Sequence, residues 1–383
     1  MSDSVRLYAG TWDGLKVLSQ RGEQWELASE TFPGAIVQAV AGCRQEPERV
    51  FAGLSQCLQR SDDAGLHWRK VLDGDFRSIA VDPTDDRVIY AGTDPVHLYR
   101  SEDGGDSWQE LTSLQRLPEE THRRLGEIEA VDMTVSHNPA FRHRRQDWWF
   151  PVPPHQGHIL HIFIHPQDPN FLMLAIEHGG VALSRDRGAS WEDVSEGIDY
   201  LDMHCVTSLP GSFERFFVSS ARGFYATDDP AKGWTRAENG CTRSYFHDIL
   251  FLPPANGGAP VAVVASADGS PGFWPASKGN AEWDHSVTGS RAALFRSADA
   301  AESWQRIGAG SGLPEEMGPM IWALCRHPHE KVGMFAGLGE SSSVPSPVRK
   351  AGSGSVMCSL DCGETWQTIA ADLPAVEHIH AAT

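Results

Sequence analysis

The chain has 383 residues, 40% of them hydrophobic, and a formal net charge of −19. That apolar content supports a sizeable core and excludes global disorder. The acidic balance repels phosphate backbones and anionic lipid heads, so nucleic acid and membrane surfaces are poor partners. The amino terminus, Met1 to Tyr8, shows no basic stretch followed by an apolar run, and no segment is apolar for long enough to cross a bilayer. The seven cysteines are odd in number, scattered and without a CxxC pair, which predicts reduced thiols and a cytoplasmic location.

Taken in chain order, one unit recurs. It opens at Leu7-Tyr8-Ala9-Gly10, a strand end, followed by a decayed turn that keeps Gly22 and Trp25. Phe51-Ala-Gly53 is the next strand end, leading to Ser61, Asp63, Gly65 and Trp68 in the spacing Ser/Thr-x-Asp-x-Gly-x-x-Trp. An apolar strand, Ser78-Ile-Ala-Val81, then a turn at Asp82-Pro83-Thr84-Asp85, then Tyr90-Ala-Gly92 precede the second copy, Ser101, Asp103, Gly105 and Trp108. Ile162-Phe-Ile164 and His165-Pro166 lead to Ser184, Asp186, Gly188 and Trp191. Two copies carry Ala for Gly: Thr227, Asp229, Ala231, Trp234, and Ser297, Asp299, Ala301, Trp304. His327-Pro328 and Phe335-Ala-Gly337 precede the last, Ser359, Asp361, Gly363 and Trp366. Asp and Gly sit where a hairpin must turn, the carboxylate accepting turn N–H groups and Gly relieving a positive φ, while Trp enters the next strand and packs between sheets.

The pattern resembles the Asp-box of the BNR repeat family, over nearly the whole chain. Four antiparallel strands per unit, repeated radially, describe a propeller blade. Seven box tryptophans imply an all-β, seven-bladed β-propeller with four-stranded antiparallel blades, a single domain spanning residues 1–383. The first unit lacks an innermost strand. Val376 to Ala381 at the carboxyl end would supply it, closing the ring by pairing the N- and C-terminal segments and removing a free edge.

Three insertions break the spacing: roughly Thr112 to Gln156, Ala267 to Arg291, and Gly339 to Gly354. The first precedes an innermost strand and the others join second to third strands, so all three are expected at one mouth of the central channel, where long loops on a rigid scaffold carry function. The first holds Arg142, Arg144, Trp148 and Trp149, and the second Trp274. These read either as a cationic and aromatic lining for a small anionic or aromatic ligand, or as solvated loops anchored by their Trp residues.

Aligned on the turn that follows, the innermost strands place His204 and His247 at one position, shared by Arg77 in the third blade. Two residues earlier stand His158, Asp202 and Tyr245. Glu177 and His178 lie in the loop after the fourth blade's second strand, opening on the same mouth. One reading is a divalent metal site (Zn, Mn or Fe) ligated by His158, His204 and His247 with Glu177 beside them, and with Asp202, Tyr245, Glu177 and Arg77 as candidate catalytic groups. The other is a wet, polar channel. His378 and His380 face either the channel or a neighbouring blade, because a slip of one residue swaps their sides.

BNR proteins include the sialidases, but the Arg-Ile-Pro motif of that family is missing here, and sialidases have six blades. Asp-boxes are scaffold turns that transfer fold and not activity. The layout is similar to that of bacterial WD40/YVTN/BNR-like proteins, including the stretch around Glu177-His-Gly-Gly180, and the seven-bladed photosystem II assembly factors are non-catalytic relatives in architecture. The expectation is therefore a metal-assisted lyase or hydrolase acting on a small molecule. The alternatives are a non-catalytic, protein-binding or assembly propeller, and a glycoside hydrolase using paired carboxylates such as Glu177 and Asp202.

Overall fold

A computed structural model describes residues 5–117, 151–152, 155–211, 214–253, 258–269, 289–308, 310–314, 317–340 and 353–383. Seven four-stranded antiparallel sheets follow one another in the chain and form a seven-bladed β-propeller. The innermost strands of the second to seventh blades are Val37–Gly42, Asp75–Val81, His158–Ile164, Met203–Ser208, Tyr245–Leu252 and Met320–Arg326. Each contacts the next around the ring. The first blade takes Arg6–Thr11, Gly14–Arg21 and Gln24–Thr31 from the amino end and its innermost strand, Val376–Ala382, from the carboxyl end. The terminal strands pair from Arg6↔Ala382 to Thr11↔Val376, so the predicted closure is the one observed.

The turns form as their residues dictate. In the second blade the Ser61 hydroxyl donates to Asp63 Oδ1 (2.8 Å) and accepts from Gly65 N (2.8 Å), while Asp63 Oδ1 also accepts from His67 N (2.8 Å). The same bonds recur around Asp103, Asp186, Asp299 and Asp361. Thr227–Trp234 departs from them: Pro230–Lys232 forms a 3-10 turn capped by Asp229. The Trp residues that close the turns of blades four to seven are buried. Three of them also bond to the segment that leaves the preceding blade, beginning with Trp234 N, which donates to Glu196 O (2.8 Å). Trp304 N donates to Asn239 O (2.8 Å) and Trp366 N to Ser311 O (2.6 Å).

At that junction only glycine fits. Gly240 has φ +94°, and a Cβ there would stand 2.1 Å from Trp304 O; Gly312, with φ +85°, stands in the same relation to Trp366. Gly240→Ala combines a left-handed backbone with a clash against a fixed carbonyl. We expect a loss of about 2 kcal/mol or more, read as a lower denaturation midpoint with an unchanged denaturant slope. A midpoint equal to wild type would mean that the blade junction yields.

Every innermost strand also leaves regular register near its start. One extra residue is inserted at Gln38, Arg77, Leu160, His204, Trp322 and Glu377, and His247 and Asp248 together face Ala265 in the sixth blade. Such bulges re-aim side chains and free backbone groups for other partners. Here the neighbouring blade uses them. Ser78 Oγ donates to Ile159 O (2.7 Å), and Asp248 Oδ2 accepts from Leu324 N (2.7 Å). His378 Nδ1 accepts from Val40 N (3.2 Å), tying the first blade to the second, and His380 packs against Tyr8 and Gly42. No helix among the described residues is long and apolar enough to cross a membrane.

Candidate functional site

The described ends of the three insertions border second strands and an innermost strand of their blades, at the strand ends that also carry Asp94, Glu177 and Asp268. Arg142, Arg144, Trp148, Trp149 and Trp274 lie outside the described residues. The described part of the site is the channel wall.

Glu177 ends the fourth blade's second strand, Leu172–Glu177, and His178 follows in the turn to Gly180–Ser184. His178 has φ +57°, a left-handed conformation uncommon for a residue with a side chain and often associated with functional turns. Gly179 N and Gly180 N both donate to Leu201 O at 3.1 Å, and Ala221 N donates to Asp202 O at 3.0 Å. These bonds fasten the 177–180 turn, the lead-in to the fifth blade and the 221–223 turn into one corner.

Within this corner a chain of acids and imidazoles crosses three blades. Arg77 Nη2 bonds to Asp94 Oδ2 (3.0 Å), and Arg77 also reaches Asp75 (3.1 Å). His158 Nδ1 lies 3.8 Å from Asp94, and its Nε2 is 2.6 Å from Glu177 Oε2. The other oxygen of Glu177 is 3.4 Å from His178 Nε2. His204 Nε2 stands 3.5 Å from Asp202 Oδ1, too long for a good hydrogen bond, which leaves that buried oxygen under-satisfied.

Among the described residues, Glu177, His178 and Asp202 form the one group of three or more potential ligands whose donor atoms all lie within 4.8 Å of one another. The predicted imidazole triad is distributed differently. His158 pairs with Glu177. His204 and His247 stack at 4.9 Å between ring centroids, and each is anchored through Nδ1 to the next blade, His204 at Phe246 O (2.6 Å) and His247 at Trp322 O (2.7 Å). Tyr245 lies 4.8 Å from the His204 ring, and Arg77 is engaged by Asp75 and Asp94. His178 is the residue that repeat alignment leaves without a role. Its one sequence signal is a bulky side chain just ahead of two glycines in a tight turn.

The electrostatics follow from this packing. Burial by itself would raise the Glu177 carboxyl, but the imidazoles of His158 and His178 outweigh it and hold the group well below the usual carboxylate range. Asp202 is likewise lowered, burial being outweighed by His178 and His204. Burial opposes charge on His178, yet Asp202 and Glu177 push it up to about 9. His204 is raised against its burial by Asp202. His247, buried and beside His204, falls to about 3 and is a neutral ring. Burial, reinforced by Asp202, raises the Tyr245 phenol and keeps its proton in place.

No protein-family model matches the chain, and no curated protein matches it in sequence. Its fold is similar to that of solved structures at low identity. One is a GH74 enzyme of Niastella koreensis, with a TM-score of 0.55 and 14% identity, covering 94% of this chain and 46% of that one. Another is a GH74 xyloglucanase from Xanthomonas campestris, with a TM-score of 0.55 and 15% identity over 87% of this chain and 45% of that one. YCF48 bound to a D1 peptide gives a TM-score of 0.48 and 16% identity over 88% and 81% of the two chains. The chain thus spans less than half the length of these GH74 enzymes, and the likeness is one of fold.

Proposed function

We propose that the chain is a small-molecule enzyme of hydrolase or lyase type, with a divalent cation held at the channel mouth by Glu177, His178 and Asp202. The observation that carries this reading is the convergence of those three groups, from two blades, around one under-satisfied carboxylate oxygen. Two carboxylates and an imidazole suit Zn2+, Mn2+ or Fe2+. His158, at 2.6 Å from Glu177, then takes the part of a partner that orients a ligand, the arrangement by which proteins tune ligand basicity, while His204, 3.5 Å from Asp202, acts on its carboxylate by charge. A bound cation would supply polarisation of a carbonyl or activation of water. Around it, the neutral His247 ring and the protonated Tyr245 phenol would hold a substrate by hydrogen bonds, since burial disfavours the charged form of both. We also read the turns as BNR-type repeats, serving as scaffold.

The same geometry weighs against paired-carboxylate glycosidase chemistry at Glu177 and Asp202. Such a pair needs one carboxyl that keeps its proton near neutrality, and here imidazoles hold both groups ionised. The exposed large apolar side chains among the described residues, Leu27, Leu66 and Leu360, sit in an outermost strand and two box turns, so they lend the channel mouth no partner-docking patch.

Metal content after loading with each ion and desalting is the test. Wild type should retain close to one ion per chain. His178→Ala and Asp202→Ala should lose it, His204→Ala should bind about 10–100-fold more weakly, and His247→Ala should keep it, with melting temperature as the control for folding. Wild type that takes up none of the three ions would overturn the metalloenzyme reading. Loss in His247→Ala with retention in His178→Ala would return the ligands to the imidazole triad.

A further inference from the structure

On the face opposite the channel mouth, the fourth and fifth blades border a cleft of about 660 Å³ whose lining includes Phe171, Arg185, Arg215, Phe216, Asp228 and Pro230. That volume is in the range that takes a small molecule. Phe171 precedes the strand that ends at Glu177, so about 20 Å of strand separates the cleft from the acid–imidazole group. The cleft lies where the repeat breaks. Arg185 and Asp228 occupy the same position in adjacent boxes, one residue ahead of Asp186 and Asp229. Pro230 diverts the fifth box into a 3-10 turn capped by Asp229, and the Asp228 side chain is left 84% exposed. Phe171 and Phe216 form the apolar wall, stacked at 5.2 Å between ring centroids, and the Arg185 guanidinium lies 5.3 Å from the Phe171 centroid.

Opposite charges line this cleft without joining. Among the described residues, the nearest carboxylate to Arg185 is that of Glu192, at 4.0 Å, and the nearest cationic group to Asp228 is Arg215, whose Nε is 3.9 Å away. Both distances are longer than a hydrogen bond. Arg215 Nε is buried and makes no hydrogen bond, its guanidinium being held through Nη1 by Glu302 (2.5 Å). Glu214 and Asp229 add carboxylates to the lining, Asp229 tied to Lys232 at 3.0 Å. We propose that the cleft binds a zwitterion of the amino-acid class, its carboxylate on Arg185 and Arg215 Nε, its ammonium on Asp228 and an apolar side chain against the Phe171–Phe216 pair. This second site is independent of the metal and of the chemistry at the channel mouth. Each charged end of such a ligand meets a protein charge that the fold holds beyond hydrogen-bond distance of its neighbours, and charge-assisted bonds are the strong ones. An oxygen placed on Arg215 Nε would also recover the cost of burying that donor unpaired. A lone anion would meet Asp228 and Glu214, and a lone cation Arg185, so a ligand of single charge is opposed by part of the lining.

Calorimetric titration of the full chain with L-phenylalanine and L-leucine tests this. Hydrocinnamate and phenethylamine, isocaproate and isoamylamine serve as counterparts that keep one charge each. At least one amino acid should bind in the millimolar range or tighter, and each of its single-charge counterparts about tenfold or more weakly than it does. Arg185→Ala and Asp228→Asn should each weaken the amino acid by a similar factor, and Arg185→Lys should recover part of the loss. Both side chains are largely exposed, at 52% and 84%, so the variants should melt with wild type. Absence of millimolar binding by either amino acid, or unchanged affinity in either Arg185→Ala or Asp228→Asn, would overturn the proposal. So would a counterpart that binds as tightly as its parent, which would assign the cleft to an anion or to a cation instead.

Discussion

Removing residues 375–383 is expected to leave no cooperatively folded protein. Val376–Ala382 is the innermost strand of the first blade, the one nearest the channel. Val376 and Ile379 are essentially fully buried and pack against Gly337 of the seventh blade, while His378 accepts a hydrogen bond from the second. Losing two buried branched side chains removes about 3–6 kcal/mol. The ladder that pairs this strand with Arg6–Thr11 contributes about 1 kcal/mol per bond on top. Together these approach the whole stability of an ordinary domain, about 5–15 kcal/mol. The deletion would also expose Arg6–Thr11 as an unpaired edge, a template for aggregation. Thermal melting by circular dichroism and size-exclusion chromatography would check this, expecting a lost transition and soluble aggregates. A synthetic peptide spanning residues 375–383 should restore part of the transition. A truncated chain melting within a few degrees of wild type would show that ring closure contributes little.

Asp248→Ala should be the most damaging single substitution in the channel wall, by about 3 kcal/mol at pH 4. The Asp248 carboxyl accepts from Ile249 N (2.8 Å) and from Leu324 N (2.7 Å), joining the innermost strands of the sixth and seventh blades. Alanine leaves both amides without an acceptor. The effect depends on pH in a definite sense. Burial pushes this carboxyl up to about 6, the bonds from Leu324, Cys205 and Ile249 offsetting only part of that rise. Between the unfolded value near 4 and 6, the folded protein holds more protons than the unfolded chain, so the contribution is fully present below pH 4 and declines as pH rises through 6. The gap between wild type and Asp248→Ala should therefore be widest at pH 4 and narrow by pH 7. Denaturant titrations at several pH values measure it. A gap that widens with pH would mean that the ionised form, not the protonated one, is favoured in the fold.

The architecture was legible because it is written locally. Four turns carry their own Ser, Asp and Gly, and the observed hydrogen bonds are those that these residues make within a few positions of one another. Seven repeats of a unit that cannot bury both faces alone then leave few arrangements. Even the closure by Val376–Ala382 follows, because the first unit starts one strand short. Where a turn lacks its glycine the pattern still holds at Ala301, which takes φ +68°, but not at Thr227–Trp234, where Pro230 diverts the chain into a 3-10 turn.

The channel was legible only as a set of positions. Repeat alignment brought His204, His247 and Arg77 to one place, and that place is the bulge common to the innermost strands. Composition and spacing alone determine that polar side chains gather there. They do not determine which ones meet, because an extra residue breaks the alternation that strand reasoning relies on. Tertiary structure made that decision. His204 and His247 are turned sideways to carbonyls of the next blade, while Glu177 and His178 reach Asp202 across a blade junction. The partners in that group come from strands whose relative position is set by packing around the ring, and no local sequence rule encodes that distance.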